Sequence, residues 1–179
     1  MLLTAANASN AFALLLLAAF PAGVIVAAMK DATSFTIPNW IPLALVGAFA
    51  PAALVVHLSM GALGMSLIAG VIALLCGMGM FAMGWCGGGD AKLMAAAALW
   101  LGWSGVLPFL AVTGLAGGAL ALALMSARNG TLAAYASGAP TWARRLFTPG
   151  EDLPYGLAIA AGALAAFPSS ALLSALAAS

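Results

Sequence analysis

Five basic and four acidic side chains make up all the formal side-chain charge in 179 residues, and two of the aspartates carry the plainest chemistry. Asp31 closes the first apolar run. Asp90 follows three glycines in Gly87-Gly88-Gly89-Asp90-Ala91-Lys92-Leu93, between two further apolar runs. Ionisable groups in such places are costly and usually mark function. Two carboxylates around one water can hydrolyse a peptide bond: one takes the water's proton while the other, still protonated, donates to the carbonyl oxygen. Carboxylates in contact cannot both ionise, so such a pair holds one proton between them. Asp90 lies at a helix start and Asp31 at a helix end, so the helix dipole predicts Asp90 as the ionised member and Asp31 as the protonated one. Taken alone, Asp90 fits a helix-capping role equally well.

Gly87, Gly88 and Gly89 predict a stretch held poorly as helix. It would serve either as a hinge before the next helix or as bare backbone that pairs with an extended substrate. Lys92 is placed to steady a nearby carboxylate or to snorkel to a membrane surface.

The elements that must position these groups are membrane helices. The chain is 65% hydrophobic and 5% charged, with a mean hydropathy of +1.17, whereas a soluble domain carries roughly 25% charged residues. A net charge of +1 offers no basic face for nucleic acid. Cys76 and Cys86 are not spaced as a zinc or redox pair and read as small apolar fillers, so neither a metal nor another cofactor is expected. Ala11 to Ala28 is long enough to span, and no Lys or Arg precedes it, so it reads as a retained helix rather than a cleaved signal.

With about 20 residues per span, the pattern predicts an all-α bundle of six transmembrane helices in a single domain over residues 1–179. The helices run from about Ala11 to Met29, Ile41 to Leu58, Gly61 to Gly84, Ala91 to Val106, Phe109 to Ala127 and Leu153 to Leu176, with a break at Leu107-Pro108. The connectors near 30–40, 85–92 and 128–152 then share one side with every formal charge, and His57 is alone on the other. Lys and Arg mark the cytoplasmic side. Both aspartates therefore fall at the cytoplasmic membrane surface, and both termini are expected on the periplasmic side. Trp40, Trp85 and Trp142 fit an inner aromatic belt and Trp100 and Trp103 an outer one. Arg144 and Arg145 read as topology anchors.

Three stretches resemble a known family in the right order. Gly87-Gly88-Gly89-Asp90, read as Gly-x-Gly-Asp and followed by Lys92-Leu93, resembles a motif of the type IV prepilin peptidases. Asp31 followed by Ile37-Pro38-Asn39 resembles the family's first aspartate motif. Pro154-Tyr155-Gly156, with Ala158-Ile159-Ala160 and Gly162, resembles the motif that opens its last helix. The resemblance implies a membrane aspartic endopeptidase of the bacterial inner membrane, with Asp31 and Asp90 as the catalytic pair. Its substrates would be prepilins or pseudopilins, in which a short, often basic leader precedes an apolar helix in the bilayer. Glu151 and Asp152 would then either attract that leader or form a plain solvated loop. The short length resembles the monofunctional branch that processes pilins of the Flp or tight-adherence type. The zinc-binding cysteine set of the bifunctional, methylating enzymes is not matched, so no methyl transfer is expected. The connector after Asp31 departs from relatives that carry basic residues there.

Two rivals remain at this level. A presenilin-like protease shares Gly-x-Gly-Asp but also carries Pro-Ala-Leu in a late helix, which does not follow Asp90 here. A non-enzymatic membrane subunit or small ion-coupled transporter would use the same aspartates to bind protons or a cation, and would place one nearer the bilayer midplane.

Overall fold

The structure is a computed structural model that describes residues 11–128, 138 and 140–178. Helix α1 spans Ala11–Ser34. It turns Phe20, Val24, Ala27, Ala28 and Asp31 inward on one helical face. The helix was expected to stop at Met29, yet it continues one turn past Asp31. The reason lies in its polar end: Thr33 Oγ1 donates to the Met29 carbonyl at 2.7 Å and Ser34 Oγ to the Lys30 carbonyl at 2.6 Å. Both are back-bonds to carbonyls one turn earlier, so the hydroxyls stay folded onto the last turn of the helix. Phe35 ends it in a left-handed conformation, its N–H on the Asp31 carbonyl at 2.8 Å. Asp31 therefore sits in the last helical turn, 5% exposed, rather than in a connector.

Helix α2 is Trp40–Val55 and carries Pro51 inside it. Helix α3 is Met60–Ala82, started by the Ser59 hydroxyl accepting the Ala62 N–H at 3.3 Å. His57 stands between them with a φ of 51°. Helix α4, Gly88–Arg128, contains one non-helical residue, Gly102, at φ 67° and ψ 177°.

At Gly102 the chain doubles back. Before it, Ala91 packs on Gly77 and Leu99 on Gly70, so this half runs antiparallel to α3. After it, Phe109 and Thr113 pack on Gly162 and Gly117 packs on Tyr155, so the second half runs antiparallel to the last helices. The expected break at Leu107-Pro108 is thus corrected to Gly102. That φ and ψ are open essentially to glycine alone, whereas a membrane helix can absorb a proline such as Pro108. The short helix α5, Thr141–Phe147, comes next. Helix α6, Gly156–Ala166, passes through a 3₁₀ turn at Phe167–Ser169 into α7, Ala171–Ala178.

The fold is all-helical. Four stretches are long and apolar enough to cross a membrane: Ala11–Ser34, Met60–Ala82, Gly88–Arg128 and Gly156–Ala178. The shorter apolar Trp40–Val55 and the reversal within α4 bring the apolar segments to six, packed about a common core. At its centre Trp100 is fully buried, stacked on Phe20 at 5.3 Å, edge-on to Phe49 at 5.9 Å, and donating Nε1–H to the Leu45 carbonyl at 2.8 Å. That overturns its place in an outer aromatic belt: the ring is a core element whose one polar atom finds a carbonyl. Trp40, Trp85, Trp103 and Trp142 are exposed. Cys76 is exposed too, against its reading as a filler, while Cys86 is half-buried. The expectation for the termini falls on residues 1–10 and 179, outside the described residues, as does part of the connector expected from 128 to 152.

Candidate active site

Three helix ends meet at the charged end of the bundle: the last turn of α1, the first turn of α4 and the first turn of α6. Asp31 comes from the first. Its Oδ2 accepts the main-chain N–H of Gly156, the first residue of α6, at 2.7 Å. The contact is close because Gly156 has no side chain; a Cβ there would lie 2.8 Å from Asp31 Cβ.

Asp90 comes from the second. Gly88 and Gly89 are helical, contrary to the expected hinge, and Asp90 is the third residue of α4. Its Oδ2 accepts the Gly87 N–H at 3.1 Å. This is the reach-back half of a capping box, in which a side chain in the first turn satisfies the N–H just outside it. The capping role considered for Asp90 is therefore present, and it occupies one oxygen. Oδ1 is buried and has no hydrogen-bond partner among the described residues. Both carboxylates thus lie at this end of the bundle, each held by a main-chain N–H.

The glycines differ in how closely they are packed. Gly89 lies against Ile37, where a Cβ would come within 2.9 Å of Ile37 Cβ and 3.1 Å of its carbonyl oxygen. A Cβ at Gly87 would come within 3.0 Å of Asp90 Oδ2, whereas one at Gly88 would meet only the Phe81 ring at 3.5 Å. Thus Gly89 lets the connector after α1 approach the start of α4, Gly87 leaves room for the Asp90 carboxylate to reach back, and Gly88 is merely between them.

The other expected site residues are placed differently. Lys92 Nζ donates to Asn39 Oδ1 at 2.7 Å, which ties the α1–α2 connector to α4. Glu151 pairs with Arg145 at 2.8 Å, and that hydrogen bond holds its carboxyl below the ordinary glutamate range. Asp152 is exposed beside it. Arg145 also lies over the Phe35 ring at 4.4 Å, so it braces the end of α1 as well as the loop.

The dipole contrast expected between the aspartates is absent. Asp31 lies at the end of its own helix, but its carboxylate also faces the N-terminus of α6, as Asp90 faces that of α4. The sequence reading missed Gly156 as a direct partner of Asp31. Its Pro-Tyr-Gly opening marked it as a helix start, but nothing in the order of residues says which side chain a helix start will face.

Compared with known protein families, the chain matches the type IV leader peptidase family over residues 18–122, a stretch that includes both aspartates. The chain belongs to that family. Neither the curated proteins nor the solved structures gave a match. Type IV leader peptidases are aspartic-type prepilin peptidases, so this multi-pass membrane protein is an enzyme, and the reading as a non-enzymatic subunit or transporter falls away. The family match stops before Arg128 and before the Pro154-Tyr155-Gly156 stretch.

Proposed function

We propose that Asp31 and Asp90 are the catalytic pair of this leader peptidase and that they cleave prepilins at the cytoplasmic face of the inner membrane. The observation that carries the proposal is the state of the two carboxylates. Each has one oxygen fixed by a main-chain N–H from a helix start, and Asp90 Oδ1 remains without a partner among the described residues.

Water is bound between the carboxylates, one of them protonated. The ionised carboxylate takes a proton from water as its oxygen attacks the scissile carbonyl carbon, and the protonated one gives its proton to the carbonyl oxygen. The tetrahedral carbon then loses the amine: the C–N bond breaks, the nitrogen takes up the proton held by the general base, and the other carboxyl recovers its proton from the hydroxyl of the new acid. One water is consumed and the pair ends as it began.

The cytoplasmic assignment is supported by the position of Lys30, Lys92, Arg128, Arg144 and Arg145, all of which occur at the Asp31 and Asp90 end of their elements. The leader is taken to be the soluble part of the substrate and the following apolar helix the membrane part. Pilins of the Flp type are the first candidates, on the resemblance to the short branch of the family. Co-expression with an Flp-type prepilin tests the reading. Wild type converts precursor to mature pilin on a gel, and Asp31→Asn and Asp90→Asn do not. Undiminished conversion by either variant overturns the assignment.

A further inference from the structure

Arg128 is the last residue of α4, and the hydrolysis makes no use of it. Its guanidinium is spent on main-chain carbonyls: Nε donates to Leu146 at 2.8 Å, Nη1 to Glu151 at 2.8 Å and Nη2 to Asp152 at 3.1 Å. One side chain thus joins three points of a connector, the end of α5 and the stretch just before α6. A rigid planar fork suits this task, because its donors are aimed at once by the placement of a single group.

The link from the clamp to α6 is short and stiff. Four residues after Asp152 comes Gly156, whose N–H is on Asp31. Between them Pro154 is fully buried, and its ring fixes its φ. The Tyr155 N–H bonds the Leu153 carbonyl at 2.8 Å, and the Tyr155 ring lies against Gly117 on the same half of α4 that ends in Arg128. Arg145, from the clamped α5, rests on Phe35, one turn beyond Asp31. The connector is therefore tied to α4 at one side and to the end of α1 at the other.

We propose that Arg128 is a positioning residue for leader cleavage: by clamping the 146–152 carbonyls it sets the Gly156 N–H on Asp31 and so fixes the orientation of that carboxylate. The proposal rests on the reading of Asp31 as catalytic. It adds a residue outside the stretch that the family match covers, acting through the main chain rather than on the substrate. Removing the fork lets α6 and the Asp31 carboxylate drift. A misplacement of about 1 Å at reacting groups can cost about a hundredfold in rate.

Purified enzyme in liposomes, given a prepilin over a range of concentrations, tests this. Arg128→Met, which keeps the stem and loses every donor, is expected to lower kcat by about tenfold to a hundredfold with KM within about threefold of wild type. Arg128→Lys is expected to fall between them. Arg128→Gly is expected to regain rate when methylguanidinium is added and not when methylammonium is added, an effect that a general loss of stability would not produce. The proposal is overturned if Arg128→Met keeps its kcat, if the loss lies in KM alone, or if methylguanidinium restores nothing to Arg128→Gly. Asp31→Asn run beside them separates the two readings. Full activity in Asp31→Asn removes the catalytic pair itself, whereas an inactive Asp31→Asn with a fully active Arg128→Met removes only the clamp.

Discussion

Gly156 donates its main-chain N–H to Oδ2 of Asp31 across 2.7 Å, although 125 residues separate them in the chain. The start of α6 is thereby part of the same site as the end of α1. A methyl group at this glycine would stand 2.8 Å from Asp31 Cβ and 2.9 Å from Oδ2. Gly156→Ala must part the two helices, at a cost of about 1–3 kcal/mol in stability. Prepilin cleavage is expected to fall by about tenfold or more, because the carboxylate moves with the helix. Thermal unfolding and the cleavage rate of the folded fraction, measured together, check both.

The three glycines before Asp90 should respond unequally. Gly89→Ala brings a Cβ within 2.9 Å of Ile37 and is expected to lose most activity, since α4 carries Asp90 away as it shifts. Gly88→Ala meets only the Phe81 ring at 3.5 Å. It is expected to keep its activity and to gain up to about 1 kcal/mol from helix propensity. A hinge or strand-pairing role for the glycines would give the reverse: loss at Gly88 as the helix stiffens. Rates and melting temperatures of the two variants decide between them.

The reversal in α4 makes a second contrast. Gly102→Ala places a side chain at φ 67° and ψ 177° and 3.0 Å from Ser66 Oγ. It is expected to destabilise by about 1–3 kcal/mol. Pro108→Ala, within a continuing helix, is expected to be neutral or stabilising. Thermal unfolding in detergent would contradict this assignment of the turn if Pro108→Ala were the more damaging.

Cys86 reports on the charge of Asp90 from outside the spans. Burial, and then the nearby Asp90 carboxylate, push its thiol up from the ordinary range. Asp90→Asn removes the carboxylate and leaves the burial. The pH at which Cys86 becomes reactive to iodoacetamide is therefore expected to move down in the variant, as read by mass spectrometry of the labelled peptide. An unchanged midpoint would mean that Asp90 bears no charge near Cys86 at the pH of the measurement.

Much of this arrangement was legible in the order of residues, for identifiable reasons. Apolar runs interrupted by nine charges leave few ways to thread a membrane, so the six apolar segments and the gathering of charge near Asp31 and Asp90 could be read directly. The exact ends of helices could not. Thr33 and Ser34 look like connector residues but cap carbonyls within α1, and Gly88 and Gly89 look like a hinge but lie flat in α4. Local side-chain bonds decided the first, and for Gly89 the close approach of Ile37 marks the second. Trp100 resembled an interfacial anchor because indole suits membrane surfaces; the Leu45 carbonyl that lets it be buried lies 55 residues away. For Lys92 and Glu151 the order of residues left two roles open each, and it did not show that their partners would be Asn39 and Arg145. Charge type shows what a side chain can do, and the fold decides which neighbour it meets.

The central claim is that Asp31 and Asp90 act on one water as a single unit, and a double-substitution cycle tests it most directly. Cleavage rates are measured in liposomes for Asp31→Asn, Asp90→Asn and the double variant, with one prepilin at saturation. Members of one catalytic unit are not additive, so each single variant is expected to lose about a thousandfold or more and the double variant to lose no more than the worse single one. The claim is contradicted if either single variant cleaves within about tenfold of wild type, or if the losses multiply as independent groups would have them do.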